Sequence, residues 1–175
     1  MSKLGLALKG TAAVILAMQL VACASYQQAN YGVTPQVDSV VVDKGARTMQ
    51  LMQANKVVKS YKVQLGQNPV GHKTQQGDQR TLEGVYKVDF RRDQSRFGLA
   101  LRISYPNSAD RQYAASRGVD PGGEIYIHGQ PHGGVNPARL ASGPDWTDGC
   151  VAVSNTEMRE IYGMVKDGTT VEIRP

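Results

Sequence analysis

Cysteine is scarce in this chain. There are two, Cys23 and Cys150, together with a single tryptophan and two phenylalanines in 175 residues. Two cysteines cannot form a disulfide framework, so a core must come from aliphatic packing. No internal repeat is present, which excludes a solenoid. No basic run interleaved with aromatics occurs, which argues against nucleic acid as a partner. No glycine loop of phosphate-cradling type and no convincing metal-ligand cluster is found, so no cofactor is expected. Long helical patterns are few and glycine is abundant at 19 residues, which leans toward a β-rich fold with many turns.

The one long apolar run lies at the start. "MSKLGLALKG" carries Lys3 and Lys9 and no acid, and "TAAVILAMQL" follows it. This order of charged and apolar regions reads as a secretory signal, too short for a comfortable membrane span. It ends in "LVAC", Leu20 to Cys23, which resembles a bacterial lipobox. That resemblance implies cleavage before Cys23 and acylation of its sulfur, with Ala24 favouring the outer membrane. The plainer alternative is a signal cut near Ala24. The expected organisation is a signal peptide over 1–22, a lipid-anchored tether over 23–37 and one catalytic domain over 38–175. Removing Lys3 and Lys9 from 20 basic residues leaves 18 against 15 acidic ones, a mild positive charge suited to an anionic surface. A monomer is expected.

Strand signals then follow one another. "SVVVD" is a β-branched run, "TMQLM" alternates, and "KVVKSYKVQLG" is long and β-prone. "GVYKVDF", "LALRISY", "EIYIHG" and "TTVEIRP" continue the series, separated by turns such as "GQNPVG" and "PGGE". Two segments predict helices. "NSADRQYAASRG" has Asn107 or Ser108 as N-cap and Gly118 as stop. "SNTEMREIYGMVKDG" has Ser154 or Asn155 as N-cap, Met158, Ile161, Tyr162 and Val165 on one face, and Gly168 as stop. The longest stretch without pattern is residues 129–149, and loops of that length usually carry function.

That loop separates the two residues that look reactive. His128 ends a strand and Cys150 follows a glycine, 22 positions later. A cysteine nucleophile needs an imidazole nearby as base, and amides of a tight Gly-Cys turn can stabilise an oxyanion. His132 makes H-x3-H with His128, but "HGQPHGG" cannot be helical, so zinc is disfavoured. His72 reads as a solvated turn residue that could line a cleft. Asp145 and Asp148 read as turn-capping groups rather than an acid–base pair, and Trp146 as a lid or an anchor.

"IYIHG", a loop, then "TDGCVAVSN" resembles the L,D-transpeptidase (YkuD-type) catalytic domain, whose signature is His-Gly on a strand and Ser/Thr-x-Gly-Cys after a loop. "GDQRTLEGVYKV" is similar to the family's strand entry, with Leu82 where proline is usual, and "RISYPNSADR" to a stretch common in one branch. The resemblance implies a mainly β fold, an L,D-transpeptidase-like twisted β-sandwich with one or two short helices. It implies that Cys150 attacks the carbonyl between meso-diaminopimelate and D-alanine of a peptidoglycan stem peptide, with His128 as base and acid. Gly129 would orient the imidazole by its carbonyl, and amides around Asp148 and Gly149 would hold the oxyanion. Thr147, Trp146 and Arg139 are further candidates for substrate binding.

Two positions depart from the common pattern. Asp148 stands where His is frequent and Ala152 where Arg is frequent, with Arg139 a candidate replacement for that cation. "GCVAVSN" is similar to a GC-x-A-x-[ST]-N branch that includes an amidase releasing murein-bound lipoprotein. The implied activity is transpeptidation in cell wall biogenesis and cell shape, with a hydrolase as the alternative and an idle wall-binding lipoprotein as another. A sortase-like reading needs a downstream catalytic arginine, for which only Arg174 is available. The implied location is the cell envelope, on the outer membrane facing the periplasm.

Overall fold

The structure is a computed structural model, and it describes residues 36–140 and 143–175. The expected signal peptide, Cys23 and most of the expected tether lie outside the described residues. Among those described, no helix is long and apolar enough to cross a membrane.

Eight strands form one curled sheet: β1 (Ser39–Asp43), β2 (Thr48–Gln53), β3 (Lys56–Lys62), β4 (Gly84–Arg92), β5 (Ala100–Ile103), β6 (Tyr126–His128), β7 (Val151–Ala152) and β8 (Thr170–Arg174). Their spatial order is β3-β2-β1-β8-β4-β5-β6-β7. β4 makes the curl. Its first half, Gly84 to Lys87, pairs with β8, and its second half, Val88 to Arg92, pairs with β5. A register shift between Val88 and Phe90 lies at the change of partner. Such a bulge bends the strand and increases its twist. The result is two packed half-sheets sharing one strand, the twisted mainly β architecture expected from the sequence.

Alternation decides which face is buried. In β1, Val40 and Val42 point inward, and in β2 Met49 and Leu51 do, with intermediate residues between them. Tyr86 and Val88 of β4, Leu101 and Ile103 of β5, and Val171 and Ile173 of β8 join the same core. Each such aliphatic side chain contributes roughly 1.5–3 kcal/mol by leaving water.

Two α-helices flank the sheet. α1 (Ser108–Ser116) is capped by Asn107, whose side chain accepts from the amide of Asp110, while Asp110 answers to Asn107 N. α2 (Asn155–Met164) has the same reciprocal box between Ser154 and Glu157. Met158, Ile161 and Met164 bury its apolar face. The helix ends at Met164, not at Gly168. Val165 turns to extended backbone, and the guanidinium of Arg91 takes the carbonyls of Tyr162 and Val165. A cation that satisfies the last carbonyls stops the helix without a glycine. Gly168 instead forms the turn into β8 at φ +85°.

His72 is not a solvated turn residue. Its Nδ1 accepts from Glu83 N at 2.9 Å and its Nε2 lies 3.1 Å from Asp110, so it ties the 66–83 loop to α1. β3 is shorter than the β-prone run that contains it, because Gln64 and Gly66 leave it to bridge Ala152 and Thr147. This departure closes the free edge of β7 and brings the loop 66–81 beside Cys150.

Candidate active site

Register puts His128 and Cys150 on one face. β6 and β7 run parallel, with Ile127 opposite Val151 and His128 opposite Ala152. Side chains alternate along a strand, so Ile127 and Val151 enter the core while His128, Ala152 and Cys150 project to the other side. On the other flank, Ala100 of β5 stands opposite His128. Both neighbours of the imidazole are thus alanines, which leaves space for larger groups above it.

Phe97 and Trp146 occupy that space. Phe97 stacks on the imidazole with centroids 4.1 Å apart at 21°, and Trp146 meets it edge-on at 5.7 Å. Trp146 is an anchor rather than a lid: it is buried, and its Nε1 donates to Gln64 at 2.8 Å. His128 is only 1% exposed. Burial pulls its pKa down to about 4; the nearby Arg96 charge adds to this, and the hydrogen bond to Gly129 opposes it. That bond, 2.7 Å between Nδ1 and Gly129 O, fixes the tautomer. A carbonyl can only accept, so Nδ1 carries the proton and Nε2 keeps its lone pair.

Cys150 is half-buried and forms no disulfide among the described residues. Burial pushes its thiol up to about 11, against an opposing donation from Tyr126 N at 3.4 Å to the sulfur. The thiol in turn points toward Glu124 O at 3.8 Å. Glu124 takes a positive φ of 54°, a conformation non-glycine residues rarely hold. Both reactive groups are therefore neutral at pH 7, and proton transfer must accompany attack.

The turn before Cys150 is set by close backbone approach. Gly149 has φ +128°, and a Cβ on it would lie 2.6 Å from Arg80 O. That carbonyl is held by the 73–80 loop, where Asp78 accepts from Thr74 N, Gln75 N, Arg80 N and Lys73. Burial pulls the Asp78 carboxyl upward, but these donors outweigh it and keep it below its usual range.

The candidate site residues of the loop separate on inspection. The Gly149 amide is not free for an oxyanion, because it donates to Thr147 Oγ1 at 3.1 Å. Thr147 is buried, and its hydroxyl donates to Cys150 O at 2.8 Å, so it braces the turn while also lining the cleft. The N–H groups of Asp148 and Cys150 donate to no acceptor among the described residues and are the candidates left for an oxyanion. The Asp148 carboxylate is 64% exposed and holds Arg139 in a two-pronged pair at 3.0 and 3.1 Å. Arg139 also donates to Trp146 O and so pins its own loop. Asp145 is buried, accepting from Leu65 N and Arg47, which makes it a structural clamp.

Phe97 and Asn155 were not legible as site residues. Asn155 Oδ1 accepts from Gln130 N at 2.8 Å and holds the His-Gly turn against the start of α2. A Cβ on Gly129 would lie 2.2 Å from that oxygen and 3.1 Å from Phe97 O. Gly129→Ala is accordingly expected to cost about 1–3 kcal/mol of stability by overpacking. It should also displace Gly129 O from Nδ1. Urea unfolding, together with the NMR tautomer signature of His128, checks both effects. A signal for Phe97 did exist: it is one of two phenylalanines, set in the polar hairpin "RRDQSRFG".

A cleft of about 600 Å³ opens above the pair, lined among others by Phe97, His128, His132, Arg139, Trp146 and Cys150. Hollows of about 270 and 320 Å³ also reach Cys150, from the Arg92–Phe97 side and the Lys73–Gly77 side. Among the described residues, no group of three or more His, Cys, Asp and Glu side chains is placed to hold a metal ion.

Comparison with solved structures finds the same fold. Pgp2, the helical cell shape determining protein of Campylobacter jejuni, matches with TM-score 0.63 and 23% identity, over 80% of this chain and 48% of that one. Bd1075 of Bdellovibrio bacteriovorus matches with TM-score 0.55 and 23% identity, over 79% and 48%. An L,D-transpeptidase of Enterococcus faecium matches with TM-score 0.52 and 16% identity, over 80% and 50%. This chain thus spans about half the length of these relatives. Comparison with curated protein sequences finds no match. The family model of the YkuD L,D-transpeptidase catalytic domain matches residues 38–173, most of the chain. With strand order, curled sheet and the His-Gly and Thr-x-Gly-Cys turns in place, the chain belongs to the L,D-transpeptidase catalytic domain family.

Proposed function

We propose that the protein is a cysteine acyltransferase acting on peptidoglycan stem peptides in the cell envelope. One observation carries the reading: His128, with Nδ1–H committed to Gly129 O, projects from the same sheet face as Cys150 at the floor of one cleft. In this reading the imidazole takes the thiol proton as sulfur attacks the carbonyl after diaminopimelate. The oxyanion forms against the Asp148 and Cys150 amides. Collapse breaks the peptide bond, and imidazolium returns the proton to the departing D-alanine amine. A second amine then attacks the thioester, gives its proton to His128 and releases the thiolate, which is reprotonated.

Lipidation at Cys23 would tether this activity to the outer membrane. The test is incubation of the purified protein with sacculi, followed by mass spectrometry of the muropeptides. New cross-links between diaminopimelate residues are expected. Loss of lipoprotein-derived residues or of terminal D-alanine without cross-links would instead assign hydrolysis. Unchanged sacculi would sink the enzymatic reading.

A further inference from the structure

The cations that face Cys150 are unevenly committed. Arg139 is held by Asp148, and Lys73 by Asp78 at 3.0 Å. Ala152 stands in the sheet beside His128 with no side chain to offer. Two guanidiniums remain: Arg92 at the end of β4 and Arg96 in the hairpin that follows it. Both line the 270 Å³ hollow that runs from Cys150 and His128 past Tyr126. Neither has an acidic partner among the described residues, although Glu124 lines the same hollow. The Glu124 carboxylate is spent on Tyr126 OH at 2.6 Å and on Arg102 at 3.6 Å.

Both guanidiniums lie within cation–π range of aromatic rings. Arg96 lies 4.6 Å over Phe97, on whose ring His128 also stacks. Arg92 lies 5.6 Å over Tyr126 and 5.9 Å over Phe90. Stacking uses the face of a guanidinium and leaves its edge donors free. An unneutralised guanidinium fits a carboxylate by two parallel bonds.

Resting on the acyl-donor reading above, the geometry points to Arg92 and Arg96 as the site that binds a carboxylate of the donor peptide. The donor then lies along the β4–β5–β6 face, with its charged group on the Arg92–Arg96 side. The Asp148–Arg139 side is left for the acceptor. Selectivity for an anionic over an amidated donor follows from two residues outside the cysteine and histidine motifs.

The experiment compares a synthetic stem tetrapeptide with versions amidated at the diaminopimelate or the terminal D-alanine carboxylate. The readout is the rate of acyl-enzyme formation at Cys150 by intact mass. Wild type is expected to lose about 10- to 100-fold with one of the amidated peptides. The Arg92→Gln/Arg96→Gln double variant should lose the same factor on the free acid and no longer distinguish the two. Arg96→Lys, which keeps charge but not the fork, should fall between. Melting temperatures near wild type, as for the remote Arg117→Gln, exclude misfolding. Full retention of the preference by the double variant overturns the assignment and leaves the enzymatic reading intact, as does a wild type indifferent to amidation. A wild type that forms no acyl-enzyme with any peptide overturns the functional reading, and the assignment with it.

Discussion

Cys150→Ala is expected to abolish thioester formation, lowering acyl transfer by about 10⁴-fold or more while leaving the protein folded. The side chain is half-buried and its sulfur makes only two long contacts, to Tyr126 N and Glu124 O. Removing it should therefore change stability by less than about 1 kcal/mol. Cys150→Ser is the sharper comparison, because a hydroxyl keeps the contacts but ionises far less readily. Intact-mass spectra after exposure to a stem tetrapeptide or a carbapenem should show a hydroxylamine-labile adduct on wild type alone. An equal adduct on either variant would move the nucleophile elsewhere. The raised thiol adds a second signature: alkylation by iodoacetamide should be slow at pH 7 and accelerate toward pH 11, the value burial imposes.

His128→Gln is expected to reduce kcat by about 10²- to 10⁴-fold, the usual contribution of a positioned base. Wild-type kcat/KM should hold a plateau from about pH 4 upward and fall below it, where the imidazole is protonated and accepts nothing. The variant's residual activity should lack that acid limb. Stability carries the same residue. The folded pKa of about 4 lies below the ordinary 6.5, so the unfolded chain binds the proton first as pH falls. The stabilisation is complete above 6.5 and lost between 6.5 and 4, in total about 3 kcal/mol. Urea unfolding at pH 7 and pH 4 should show that difference in wild type and a smaller one in His128→Gln. Equal acid sensitivity in both would mean that the imidazole is not held neutral by its surroundings.

The sheet was legible because β-branched runs and alternation dictate both strand and face; "SVVVD" and "TMQLM" form β1 and β2 at those positions. Each N-cap was legible to within one residue, Asn107 or Ser108 and Ser154 or Asn155, and the capping boxes with Asp110 and Glu157 select the first of each pair. The helix end was not, since Arg91, 71 positions before Tyr162, supplies the stop. The same holds at the site. Gly-Cys and His-Gly are local turn chemistry and can be read from adjacent letters. Phe97 over His128, Asn155 under Gly129 and Gln64 on Trp146 are products of register between distant strands. The pairing of Arg139 with Asp148 was equally hidden, and it shifts attention to the arginines of the β4–β5 hairpin.

The position of β8 has a kinetic consequence. This strand lies between β1 and β4, parallel to the first strand of the domain, so the centre of the sheet joins segments far apart in sequence. Loop closure must be nearly complete before those contacts return any free energy, and such topologies fold in milliseconds to seconds rather than microseconds. A chain truncated before residues 170–174 lacks the strand that joins β1 to β4. Assembly of the His128–Cys150 floor on a complete sheet therefore waits on β8.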